Sequence, residues 1–340
     1  MADIDRREFV KSAVIVGTAA AVAGIAGCAP GAGGSLTTGI SASSPQQAAT
    51  SAPRVRTDNS MPGGSKVYYA DGISAEGLLA VYRALGWSPS GRVAVKLHMG
   101  EEGNSNYLDP GLLRPLVEEL GGTFVDTTVL YYARSTPDGY RRVAAEHGFT
   151  YAPVDILDED GGIDLPISGG SQLSVATVGS HYSDYGSMVS VAHFKGHGMA
   201  GFGGTFKNLA IGLATCPAKR QVHGANFDTG RPFLTRVVEF SKGVFDDLGT
   251  NMACINVLNN LSVDCDCDAG AAAPAMADIG IMASLDPVAL DRASLDQIYL
   301  SDDPGASALI RRIESRDGAY LLDYAEQLGI GSQTYELVAV

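Results

Sequence analysis

Short apolar runs that stop at a polar residue, each followed by a helix with its own start and stop signals, recur along most of this chain. Val93-Ala-Val-Lys-Leu-His98 predicts a strand over 92–99. Asp109-Pro110 opens a helix over 109–120, and Gly121-Gly122 closes it. The pattern repeats as a strand over 123–129, a helix over 137–147 before Gly148, and a strand over 188–192. A helix over 230–248, strands over 254–261 and 278–284, and a helix over 288–300 behind Asp286-Pro287 complete the alternation. A strand over 66–70 and a helix over 74–85, capped by Ser74, precede it; residues 161–178 read as a β excursion. Residues 306–329 hold one or two helices, and 335–340 a terminal strand. Such alternation predicts an α/β fold: a mostly parallel, doubly wound sheet with helices on both faces.

In an open parallel sheet, ligands bind outside the carboxyl ends of the strands. Here those ends carry Lys96 and His98, Asp126, His193 to His197, and Cys265 to Cys267, while the strand bodies are apolar. The densest part is Ser190 to His223, with three of the chain's 6 histidines. His193 and His197 are candidate acid–base residues with Lys96, and their spacing also suits a two-histidine zinc site. A hydrogen-bonded core histidine is the plainer alternative for His193. Gly203 and Gly204, before Phe206-Lys207-Asn208, could cradle an anion at a helix start, or form only a tight turn. Lys207 and Asn208 are thus candidate cofactor-binding residues, and Lys207 could equally be a covalent anchor.

Five cysteines are present. Cys265 and Cys267 alternate with aspartates, and on an extended segment both would point the same way. A metal, a redox dithiol or a cluster would use that pattern. Disulfides to Cys254 and Cys216, or a plain surface turn, would also account for it. Asp278 and Asp291 are weaker candidates.

Asp5-Arg6-Arg7-Glu8-Phe9-Val10-Lys11 resembles a twin-arginine export signal, followed by 15 apolar residues over 13–27. That run is too short to span a bilayer and suits a signal's apolar core. Ile25-Ala-Gly-Cys28 resembles a lipobox, with Cys28 the residue to be acylated. Residues 1–28 are therefore expected to be a signal, with the protein lipid-anchored outside the cytoplasm in the cell envelope. Residues 29–64 contain 26 Ala, Gly, Ser, Thr or Pro residues out of 36 and are expected to be a tether. The folded domain is then 65–340. A net charge of −14 excludes a nucleic-acid binder and a polybasic membrane patch. The expected partners are a small-molecule substrate or a redox partner, and the membrane through the lipid.

Several of these motifs together resemble the domain-of-unknown-function family 362: Val93 to Glu101, Asp126 to Tyr131, His193-Phe-Lys-Gly-His197, Gly201-Phe-Gly-Gly204, Lys207-Asn208, Cys265-Asp-Cys267, and Asp278 through Asp286-Pro287 to Asp291. Members are often labelled iron–sulfur centre proteins, which implies a cluster. This chain lacks the ferredoxin-type cysteine sets that many of them carry between the residues matching His223 and Cys265. The spacings from His197 to Lys207 and from Lys207 to His223 also resemble those of nickel-pincer lactate racemases. That likeness implies His197 as acid–base, Lys207 as anchor of a pincer nucleotide, and His223 as metal ligand; Cys265 and Cys267 are metal-ligand candidates by their own spacing. The cofactor is thus expected to be a metal ion, an iron–sulfur centre or a nickel-pincer-like nucleotide. The leading expectation is a redox or hydride-transfer enzyme. The alternatives are a non-catalytic metal-binding or electron-transfer lipoprotein, and a racemase- or epimerase-like enzyme.

Overall fold

The computed structural model describes residues 55–267, 270 and 273–340. The expected export signal, Cys28 and most of the expected tether lie outside the described residues.

Eight strands form one sheet in the order β12-β1-β11-β10-β7-β2-β3-β4. These are β1 (Ser65–Asp71), β2 (Val93–Lys96), β3 (Thr123–Asp126), β4 (Val154–Ile156), β7 (Ser187–His193), β10 (Met252–Leu258), β11 (Gly280–Ser284) and β12 (Tyr335–Ala339). Pairing is parallel from β10 through β7, β2 and β3 to β4, and between β1 and β12. Only β11 runs the other way, antiparallel to both neighbours. The sheet is mostly parallel, as the alternation predicts. Outside it, β5 (Gly162–Pro166) and β6 (Val175–Gly179) form the expected β excursion, and β8 (Lys195–His197) pairs with β9 (Gly201–Gly203) as a hairpin.

The alternation of side chains along each strand feeds two cores. On one face Ala94, Met188, Cys254 and Met282 join the larger cluster. It packs against α4 (Thr205–Leu213), α6 (Arg231–Leu248), α7 (Pro287–Tyr299) and α9 (Tyr320–Gln327). On the other face Val95, Val189, Ile255 and Ala283 pack against α1 (Ala75–Ala84), α2 (Pro110–Leu120) and α3 (Pro137–Glu146). The central strands are buried on both faces, which is why they read as unbroken apolar runs. The remaining helices are α5 (Cys216–His223) and α8 (Ala306–Glu314).

The sequence signals locate the helix ends well. Ser74, Asp109 and Thr136 each accept an amide of the first turn, and Gly121 takes the left-handed conformation after α2. Helix α5, which begins at Cys216, escaped the sequence reading because it is short and mostly polar. The folded body also reaches further back than residue 65. The Val55 amide donates to Asp71 at 2.8 Å, Arg56 hydrogen-bonds Gln297, and the Met61 amide donates to Tyr335. Among the described residues no helix is long and apolar enough to cross a membrane.

Candidate metal and acid–base centre

The strand order reverses direction between β2 and β7, and their carboxyl ends lie side by side there. This is the position at which open α/β sheets bind ligands. After β7 the chain turns into the β8–β9 hairpin, which lies against the loop that follows β10. The contact depends on Gly196. Its amide donates to the Ser262 carbonyl at 2.8 Å, and a Cβ there would overlap the Val263 carbonyl. With hairpin and loop this close, the neighbours of Gly196 meet the cysteine segment. Lys195 Nζ lies 2.9 Å from Asp266 Oδ1. His197, Cys265 and Cys267 bring their donor atoms within 4.8 Å of one another, a group that can hold a metal ion.

The electrostatics favour one thiolate and one thiol. Burial pushes Cys265 up, yet hydrogen bonding from Cys267 and the charges of Lys207 and Lys195 bring it well below the usual thiol range. Cys267 moves up, through its bond to Cys265 and through burial. The Cys267 amide donates to Cys265 Sγ at 3.4 Å, and Lys207 Nζ stands 3.9 Å from the same sulfur. Burial opposes the Lys207 charge, but the two sulfurs and Asp266 raise its pKa. Lys207 therefore points into the site, from the first turn of α4.

His197 and His223 are set in opposite tautomers. His197 Nδ1 accepts the amides of Ala200 (3.1 Å) and Met199 (3.3 Å), so the neutral ring carries its proton on Nε2. His223 bonds the Lys219 carbonyl at 2.6 Å through Nδ1, which must be the donor, and Nε2 is left as an acceptor. Both rings are held neutral by burial first; the nearby Lys207 adds to this, and His223 falls to about 4. Both lie near one aromatic ring, with His197 6.5 Å and His223 5.2 Å from Phe233 between centroids. Lys207, His197 and His223 thus lie in one region. The imidazole beside the cysteines is that of His197, however; His223 stands with Lys207 and His197.

Five other expected residues are engaged by the protein itself. His193 has both ring nitrogens engaged, by Asp266 at 2.9 Å and by the Asn259 carbonyl at 2.7 Å, and so serves as a brace. Lys96 is buried at the end of β2, with its ammonium on Asn208 Oδ1 (2.9 Å), the Leu97 carbonyl (3.2 Å) and Asp126 (3.5 Å). Burial, only partly offset by Asp126, lowers it to about 8. The Asn208 amide is consumed in turn by Lys96 and Ser190, clamping α4 to the strand ends instead of facing a cofactor. Gly203 and Gly204 do precede a helix start, but the anion there is the protein's own. Asp291, from α7, accepts the Thr205 amide at 2.9 Å and the Phe206 amide at 3.3 Å. A Cβ on Gly204 would come within 2.6 Å of that carboxylate. The cradle is filled by a helix cap from a distant part of the chain.

All four described cysteines are free, so no disulfide ties Cys265 or Cys267 to Cys254 or Cys216. Asp266 also lies in the candidate site, and its place between two cysteines is the signal for it in the sequence. Its carboxylate is held well below the usual range: burial opposes the charge, but Lys195, His98 and His193 outweigh it. His98 lies 3.6 Å from Asp266 and accepts from the buried Arg134, itself paired with Glu101.

Residues 93–296 match the family described as a domain of unknown function, DUF362. The chain belongs to the DUF362 family. Eight chains of known structure are also similar to this DUF362 protein. One is the lactate racemase apoprotein from Thermoanaerobacterium thermosaccharolyticum, at 14% identity and a TM-score of 0.35, covering 57% of this chain and 50% of that one. Another is the crystal structure of a protein from Thermotoga maritima, at 12% identity and a TM-score of 0.39, covering 76% of this chain and 61% of that one. The DUF362 protein therefore spans 50% of the length of the first and 61% of the second. No curated protein matches it.

Proposed function

We propose that this DUF362 protein is a metal-dependent enzyme that transfers a proton on a small anionic substrate. In this reading Cys265 and Cys267 hold the metal, His197 is the acid and His223 the base. The observation that carries it is the pair of sulfurs with the His197 imidazole within 4.8 Å, close enough to act on a metal-bound substrate, and Lys207 beside them. Paired sulfurs suit a soft divalent ion of the zinc or nickel class. Such an ion, when bound, would polarise a substrate oxygen. Two sulfurs fall short of the four that a cysteine-ligated cluster takes, which weighs against an iron–sulfur centre at these residues.

The chain's own residues would do the rest. Lys207 attracts and orients the anion. His197 presents a proton on Nε2, while His223 presents a bare Nε2, so a proton can leave one side of the region and arrive at the other. Phe233, fully buried, packs near both imidazoles and makes their surroundings apolar. A second reading, a redox or hydride-transfer enzyme, is supported by the thiolate–thiol pair itself.

Metal analysis of the purified protein should find about one soft metal ion per chain, and the Cys265→Ser/Cys267→Ser double variant should lose it while staying folded. In heavy water, the loaded protein should wash deuterium into the carbon-bound position next to the hydroxyl of a small hydroxy acid. His197→Gln and His223→Gln should each slow this at least about 100-fold. A folded double variant that retains its metal would rule out the thiol ligands. Exchange that persists in both histidine variants would rule out the acid–base assignment and leave the redox reading. We further propose, from the signal-like residues 6–28, that the chain is exported by the twin-arginine route and lipid-anchored at Cys28.

A further inference from the structure

The segment that carries both cysteines has no strand or helix to hold it. After β10, backbone bonds hold Leu261 (a bridge to Met276) and Ser262 (to Gly196), but residues 263–267 run only as turns and bends. The sulfurs nonetheless face His197 and Lys207, so side chains must supply the order that the backbone ladder does not. Arg312 ties down the outer part, 2.6 Å from Asp264 Oδ1 and 3.3 Å from the Val263 carbonyl. The inner part depends on Asp266, whose side chain is completely buried.

Each Asp266 oxygen has its own basic partner on the neighbouring strands. Oδ2 faces His193 Nδ1 at 2.9 Å, and Oδ1 faces Lys195 Nζ at 2.9 Å with His98 beyond at 3.6 Å. The other nitrogen of His193 reaches the Asn259 carbonyl, and Lys195 also donates to the His193 carbonyl at 3.0 Å. One imidazole therefore joins the first residue of the loop to the residue between the cysteines. A buried ion pair of this kind adds little net stability over an apolar replacement, whereas losing one partner leaves the other charge stranded. What it adds is a defined geometry for the peptide it anchors.

We infer that Asp266 is the positioning residue for the two thiols: its links to His193 and Lys195 hold the Cys265–Cys267 arc so that both sulfurs face His197 and Lys207. Groups behind metal ligands typically change affinity by about 10- to 100-fold when removed. The affinity consequence rests on the proposed metal reading; the thiol geometry does not.

The test uses the full chain with two measurements on wild type, Asp266→Asn and Lys195→Met. The first is zinc affinity, by competition with a chromophoric chelator. The second is the iodoacetamide alkylation rate of each cysteine, read by peptide mass mapping, with Cys216 as internal control. Asp266→Asn should weaken zinc binding by about 10- to 100-fold. It should also change the Cys265-to-Cys267 rate ratio several-fold while Cys216 keeps its rate. Lys195→Met should move both in the same direction and serves alone if Asp266→Asn does not fold. A folded variant with zinc affinity and rate ratio both within about twofold of wild type would overturn the inference. Wild type that binds no zinc would remove the metal reading, and the rate ratio would still decide the role of Asp266.

Discussion

Gly212 shows at one residue how tightly the region under the centre is packed. It lies in α4, where replacing glycine by alanine ordinarily stabilises a helix by about 0.5–1 kcal/mol. Here a Cβ would overlap Cε and Nζ of Lys96. A lysine tip can usually move aside, but this one is buried and its ammonium is held by Asn208, Leu97 and Asp126. Gly212→Ala should therefore destabilise the protein by about 1–3 kcal/mol, as overpacking does. Chemical denaturation reads the sign directly, and a stabilised variant would show that Lys96 is not pinned. The same crowding engages the Lys96 ammonium with groups of the protein itself. Its position at a strand end was legible in sequence, but the neighbours that occupy its ammonium come from β3 and α4.

Elements here are joined by side chains reaching across from distant parts of the chain. Asp291 on α7 caps α4 and so fixes the direction from which Lys207 enters the site. At the sheet edge, His181 sits between Asp155 of β4 at 2.7 Å and Asp160 at 2.9 Å. Hydrogen bonds that its ring donates to Asp155 and then Asp160 raise it to about 9, and burial opposes this. Because the folded-state pKa lies above the unfolded value of about 6.5, the folded protein holds the proton more tightly. The stabilisation is complete below about pH 6.5 and is lost as pH rises through about 9. The urea midpoint of wild type should fall across that window relative to His181→Gln. Parallel pH curves for the two proteins would show that this link between β4 and the following turns does not contribute.

At the scale of the whole molecule, the described body begins before the first strand. Val55, Arg56 and Met61 tie the incoming chain to Asp71, Gln297 and Tyr335. That arrangement leaves the residues before 55 to connect the body to the proposed lipid anchor. Protein recovered from membranes after native export should give an N-terminal peptide that starts at an acylated Cys28, as read by mass spectrometry. A chain that starts at Met1, or at an unmodified residue near Ala29, would remove the anchor. Replacing Arg6 and Arg7 by lysine should leave the precursor in the cytoplasm.

The sequence by itself determined the α/β class, most helix ends and the edge of the sheet that carries the site. Apolar runs, capping residues and glycine stops are local signals, and the polar residues at the carboxyl ends of β2, β3, β7 and β10 follow from strands that run the same way. It did not show that β11 runs in reverse, because an apolar strand reads alike in either direction. Nor could it say which polar groups at that edge are free. His193, Asn208 and Lys96 look as available in sequence as His197 and Lys207, yet partners contributed by other segments occupy them. The glycine cradle is a true helix start whose anion, Asp291, lies far along the chain. Only the tertiary structure assigns these partners, because a hydrogen bond between distant segments leaves no periodic trace in either one.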